Sequence, residues 1–422
     1  MNEIKKLSNG ITVVLEPMNY LKTTSFGVWV KVGSCNETKE NNGIAHVIEH
    51  MLFKGTKKRN SRQIADDMAK IGGNVNAYTT KECTSYYTTT LAEHLPAAIE
   101  IISDMINHST FEEDALEKEK GVIIEEIDMY DDSPEDLVHE MLQQVIWEDH
   151  PLGFIISGTK ENVLGMTREQ IQEFMAEHYV AENMLISIAG KFDTDEVMQL
   201  LEEAFACVPN QTIKQQMVAP EYHHCIYTKE KDVEQVHLNI AFDSIPYDHE
   251  DKYVLSILNS ILGGGINSRL FMEIREELGL TYSIYSYGSS HYQAGLFHIY
   301  GAMNPSQTET VFDAIFQVID DLVEHGLDED ELTMTVEQIK TDLVMASESA
   351  KSRMSSNAKA VMSRGYIIPM EETLERLNAV TGDDVVKFAK KYFVKERASI
   401  SLVGNLEEVD VERLKKKVSY AC

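Results

Sequence analysis

No Cys-x-x-Cys pair occurs anywhere in this chain, and its five cysteines (Cys35, Cys83, Cys207, Cys225 and Cys422) are scattered and odd in number. That argues against a disulfide framework and against a cysteine-ligated metal site, and it points to reduced thiols in a cytoplasm. Any metal ligands must come from other side chains. Long apolar runs are missing as well. No stretch approaches the roughly 20 residues of a membrane span, so none is expected. The opening Met1–Gly10 lacks the apolar core of a secretory signal. Positive charge is scarce: 38 Lys and Arg stand against 69 Asp and Glu, for a formal net charge of −31. A nucleic-acid partner would need a surplus of Lys and Arg to neutralise phosphates, so none is expected. Cationic partners, basic peptides among them, suit this balance, although many soluble proteins are simply acidic.

What the chain does hold is a compact constellation at Gly43–Phe53. On a helix, Ile44, Val47, Ile48, Met51 and Leu52 fall at i, i+3, i+4, i+7 and i+8, forming one apolar stripe. His46, Glu49 and His50 fall on the opposite side. Two imidazoles one turn apart can reach one ion, and Glu49 lies between them. The order His-x-x-Glu-His reverses that of the commoner zinc proteases and matches the inverted zinc-peptidase motif. The same three side chains on a plain solvated helix face would mean nothing chemically, so a third ligand is needed.

Glu117–Ile127 supplies the candidates. On a helix, Glu126 shares a face with Glu119, Val122, Ile123 and Tyr130, whereas Glu125 faces outward with Lys118, Gly121 and Asp128. A carboxylate on the core side is costly unless paired or bound to metal, which selects Glu126 as the ligand. Glu119, two turns upstream on that face, either orients a histidine or a basic side chain or is a solvated glutamate.

The 422 residues exceed one core, and two domains of about 200 residues are expected. Strands are read at Ile11–Leu15, Thr24–Val32, Asn74–Thr79, Thr84–Thr90 and Met184–Ala189, with helices at about 62–71 (capped by Ser61), 94–107, 112–130, 135–147, 168–178 and 194–206. The class is α+β, with antiparallel-rich sheets packed with helices. The plan then recurs. Asn60–Thr79 lies on Asn267–Ser286 at an offset of 207 residues, and Thr167–Gly190 lies on Thr381–Gly404 at an offset of 214. The expected division is a metal-binding domain at 1–209, a polar linker at 210–222 and a homologous domain at 223–422. In the second copy Tyr253, Ser256 and Ile257 replace His46, Glu49 and His50, so it keeps the fold and loses the metal. Its Gly263-Gly264-Gly265 is not a phosphate loop, because no Gly-Lys-Ser/Thr follows.

With these residues named, the chain resembles the pitrilysin/insulin-degrading family of zinc peptidases. It is most similar to the short members, the mitochondrial processing peptidase β-subunit and the bacterial processing-protease-like proteins. Members carry His-x-x-Glu-His and a distant glutamate within Val-Ile-x-x-Glu, and Val122–Glu126 fits. The resemblance implies Zn²⁺ on His46, His50 and Glu126, with Glu49 as general base. Gly72–Thr79 resembles the family's substrate-binding edge strand, which implies peptide pairing at Asn76 and Ala77, with Glu119 grouped beside them. Arg275 and Tyr282 match a carbonyl-binding Arg-x6-Tyr pair; the plain alternative is that Arg275 pairs with Glu276 or Glu277 and Tyr282 packs in a strand. Long members enclose peptides in a chamber of four such domains. This chain would form half of a clamshell, completed as a homodimer. A non-catalytic binding or assembly subunit of the same fold is the rival expectation.

Overall fold

The apolar runs near 11–15, 24–32, 84–90 and 184–189 become strands of one sheet in a computed structural model of the chain, which describes residues 2–73, 75–148, 150–211 and 218–418. The first sheet holds β1 (Glu3–Lys6), β2 (Thr12–Pro17), β3 (Thr23–Val30), β4 (Asn76–Thr79), β5 (Thr84–Leu91) and β6 (Met184–Gly190). Their order is β1-β2-β6-β3-β5-β4, antiparallel throughout except for the parallel pair β2/β6. Asn74, in the expected third strand, and residues 212–217 of the expected linker lie outside the described residues.

The second sheet holds β7 (Ile226–Glu230), β8 (Val236–Ser244), β9 (Thr281–Ser290), β10 (Gly295–Met303) and β11 (Ser399–Gly404), in the order β7-β11-β8-β10-β9. Omitting β1, the two sheets have one topology, and the single parallel pair, β7/β11, recurs at the matching place. The repeat extends to backbone detail. Gly72 and Gly279 both take left-handed φ, 63° and 62°, where a side chain would be strained. Thr167 and Thr381 each open a helix with a reciprocal capping box. The architecture is α+β with two homologous domains.

Helix limits follow local chemistry. Helix Ser61–Lys70 is capped by Asn60, not Ser61: the Asn60 side chain accepts from the Gln63 amide at 2.9 Å, and Gln63 bonds back to the Asn60 amide. A six-residue helix, Lys160–Gly165, has too few turns to show periodicity and is absent from the expected set.

Packing groups the chain into two units, each discontinuous in sequence. One comprises Met1–Asp128, Phe154–Gln216 and Val344–Ile367; the other comprises Met129–Gly153, Met217–Leu343 and Ile368–Cys422. In the first unit, helix Ala350–Arg364 lies against β6, β3 and β2 and buries Met354, Ala358 and Val361. The Ser187 hydroxyl donates to the Met354 carbonyl at 2.8 Å, and Arg353 pairs with Glu16 at 2.7 Å. In the second unit, helix Pro134–Ile146 lies against β11, β8 and β7, with Leu137 and Val138 packed among Tyr300, Ala302 and Val403. Each sheet is thus covered by a helix from the other half of the sequence.

Candidate metal centre

Gly43 starts the motif helix, Ile44–Met51, from a left-handed backbone with φ of 102°. A Cβ there would meet the Ser157 carbonyl oxygen at 2.9 Å, so glycine is required on both counts. Ile44, Val47, Ile48, Met51 and Leu52 are all buried in the core of the first unit, which fixes the helix's rotation and leaves His46, Glu49 and His50 on its other side. The open amides of the first turn are met by a buried carboxylate from the preceding loop. Glu37, 4% exposed, accepts from the Gly43 and Ala45 amides and the Asn42 side chain, each at 2.8 Å. Burial pushes its pKa up to about 7 despite these three bonds.

The helix Glu113–Asp132 delivers Glu119 and Glu126. His46 Nε2 lies 3.8 Å from Glu126 Oε1, and His50 Nε2 lies 3.5 Å from Glu126 Oε2. One atom from each of His46, His50 and Glu126 falls within 4.8 Å of the others, the one such trio among the described residues. Tetrahedral zinc with bonds of about 2.0–2.1 Å needs ligand atoms roughly 3.3 Å apart, so this spacing fits. Two imidazoles and a carboxylate also leave a fourth position open, as catalytic zinc requires. His46 Nδ1 is buried without a hydrogen-bond partner among the described residues.

Glu119 is 5% exposed, and both its oxygens are engaged: Oε1 with His50 Nδ1 at 2.8 Å, and Oε2 with Lys54 Nζ at 2.5 Å. Burial pulls His50 downward, but Glu119 and Glu126 outweigh it and raise its pKa to about 9. His46 moves the other way, to about 4, because burial and then the neighbouring His50 disfavour its cation. Glu125, by contrast, is exposed. The face shared by Glu119 and Glu126 is not uniformly a core face: Ile123 is buried, but Val122 is 52% exposed and Tyr130 38%.

Glu49 points to the edge strand. Its Oε2 accepts the Thr79 hydroxyl at 2.6 Å, and burial raises its pKa, partly offset by that bond. Asn76 and Ala77 lie on β4, the edge of the first sheet. Thr80 donates its amide to Cys83 at 2.8 Å, so pairing alternates back along the strand. Tyr78 and Asn76 turn their backbone groups toward β5, while Ala77 and Thr79 turn theirs to the unpaired side. Of the two expected pairing residues, only Ala77 offers its backbone outward. The Asn76 side chain instead accepts from the Ala77 amide at 2.9 Å.

Arg275 and Tyr282 come together in the second unit. Arg275 sits on a short π-helix, Phe271–Glu277, with its guanidinium over the rings of Phe271 at 4.5 Å and Tyr282 at 4.7 Å, and with Glu276 at 3.7 Å. Tyr282 is 76% exposed at the start of β9. Sequence reasoning missed Glu37, Lys54 and Thr79. Lys54 could have been found one turn beyond His50, and Thr79 at the end of the edge strand; nothing local marks Glu37.

Residues 12–160 match the family model described as Insulinase (Peptidase family M16), and residues 165–339 match Peptidase M16 inactive domain. An uncharacterized zinc protease of Bacillus subtilis is 38% identical over 400 residues, covering 94% of this chain and 98% of its own. Another from Rickettsia felis is 35% identical over 92% of this chain and 94% of its own. Among solved structures, a protease from Helicobacter pylori superposes with a TM-score of 0.89 at 21% identity, over 96% of this chain and 99% of that one. A chain of complex III2 from Candida albicans does so with 0.84 at 20% identity, over 99% of each.

Proposed function

The chain belongs to the insulinase family of peptidases, family M16, and on that footing we propose that it is a zinc-dependent endopeptidase acting on unfolded peptides. Zinc is its cofactor, as the zinc-protease names of several relatives indicate. The observation that carries the reading is Glu49 held beside the trio His46, His50 and Glu126. His46, His50 and Glu126 would hold the zinc, which would supply Lewis acidity and lower the pKa of the attacking water toward about 7. Glu49 takes the proton of the attacking water and passes it to the leaving amine; its raised pKa suits both roles. Glu119 fixes the tautomer and tilt of His50 and is anchored by Lys54, which makes it a positioning carboxylate and not a substrate contact. Peptides dock as an added strand on β4, at the outward carbonyl of Ala77, whose amide is held by Asn76.

The Arg275–Tyr282 pair donates to the scissile carbonyl. Two chains form a homodimer that encloses the peptide. No helix among the described residues is long and apolar enough to cross a membrane. The thiols of Cys35, Cys83, Cys207 and Cys225 are free, which suits a reducing cytoplasm. The complete donor set together with Glu49 favours a catalyst over a binding subunit.

Zinc analysis of the purified chain, combined with cleavage of an unstructured fluorogenic peptide, tests the proposal. One zinc per chain and turnover that stops on chelation and returns with zinc are expected. A fully zinc-loaded chain that cleaves no peptide overturns it.

A further inference from the structure

β4 presents few groups to an incoming strand. Its outward backbone belongs to Ala77 and Thr79, and the Thr79 groups are not equivalent to those of Ala77. The hydroxyl of Thr79 donates to Glu49 Oε2 at 2.6 Å. A docked peptide can therefore pair at the Ala77 carbonyl, but two residues on, about 6.8 Å further along the edge, it meets the Thr79–Glu49 bond. A short bond from a strand residue also fixes the rotation of the carboxylate, leaving Oε1 as the oxygen not engaged by the hydroxyl.

We propose that Thr79 is a positioning residue that ties peptide docking on the open edge of β4 to the aim of Glu49. This rests on the peptidase reading above. Substrate alignment and base alignment share one strand, so a peptide in register at Ala77 brings its next peptide bond alongside an already oriented carboxylate. Misplacing a reacting group by about 1 Å costs on the order of 100-fold in rate, which is the scale at stake. Thr79 touches neither water nor ion in this scheme; it acts through Glu49.

The test compares Thr79→Val, which keeps the shape and removes the donor, with Thr79→Ser, which keeps the donor. Both are made in the full-length, zinc-loaded chain and assayed on a fluorogenic peptide of ten or so residues. For Thr79→Val, kcat is expected to fall about 10- to 100-fold while KM stays within about threefold and zinc remains one per chain. Thr79→Ser should recover most of the loss. Wild-type kcat in Thr79→Val, equal losses in both variants, or loss of zinc from Thr79→Val each overturn the inference. Hydroxyl-proton exchange, followed by NMR, gives a reading independent of turnover: the Thr79 hydroxyl proton should exchange faster in Glu49→Ala than in the wild type. If the zinc-loaded wild type cleaves nothing, the peptidase reading fails, and the exchange rates still decide whether Thr79 is bonded to Glu49. Equal rates overturn it.

Discussion

Glu119 Oε1 lies 2.8 Å from His50 Nδ1, while Nε2 of the same ring faces Glu126 at 3.5 Å. One imidazole is therefore held on both nitrogens, and the metal-facing one is set by the carboxylate behind it. Replacing such a carboxylate typically weakens metal binding about 10- to 100-fold. Glu119→Gln should raise the zinc dissociation constant by that factor, measured by competition with a chromophoric chelator. Unchanged affinity would leave Glu119 no part in the site.

The two neighbouring glutamates and the base should separate cleanly. Glu126→Gln should lose zinc and turnover, because it removes a ligand. Glu49→Gln should keep zinc and lose turnover, because it removes a base and no ligand. Glu125→Gln should keep both, since that side chain is exposed. Metal analysis beside a peptidase assay reads all three, and a zinc-depleted Glu125→Gln would refute the assignment.

Glu37 makes stability depend on pH. Its pKa is about 7 in the folded chain, against an ordinary 4.5, so between these values the folded state binds the proton more tightly than the unfolded state. The contribution is complete below about pH 4.5 and is lost as pH rises through about 7, an effect of at most about 3 kcal/mol. Glu37→Gln cannot titrate. The melting midpoint of the wild type should therefore fall relative to this variant between pH 5 and pH 8, and a constant difference would contradict the shift.

Arg275 stacks on Tyr282 in the unit without metal ligands. Arg275→Ala should lower kcat about 10²- to 10³-fold and leave zinc content unchanged. If the homodimer shares its sites across chains, mixing Glu49→Gln with Arg275→Ala protein rebuilds one complete site in each mixed pair. Half the pairs are mixed and each has one site of two, so roughly a quarter of wild-type activity should return. Mixed dimers that stay inactive would confine the pair to its own chain or deny it a role.

The motif helix was legible because its rotation is set by a local stripe, Ile44 through Leu52, that must be buried whatever covers it. The duplication was legible for a similar reason: Gly72 and Gly279 occupy a backbone conformation that few other residues tolerate. That Glu126 and not Glu125 turns toward His46 and His50 was legible from the sense of a helix face, although exposed Val122 and Tyr130 show that the face is only partly a core face. Contacts made at long range were not legible. Glu37 looks like a surface residue in a polar loop, and only the fold shows it capping the helix that starts seven residues later. The strand pairing that turns Asn76 inward and Ala77 outward depends on register with β5, which β4 alone does not encode.

Each sheet's dependence on a helix from the other half of the sequence has a consequence for biosynthesis. When the ribosome has added residue 216, the first unit has all its strands but lacks Ala350–Arg364. At about 5–20 residues per second, the face of β2, β6 and β3 waits roughly 7–30 s for its cover. During that interval the nascent chain exposes apolar sheet surface of the kind that chaperones bind. The first unit gains its last helix only after most of the second unit has been made, and the second then still awaits β11, so neither folds far ahead of the other.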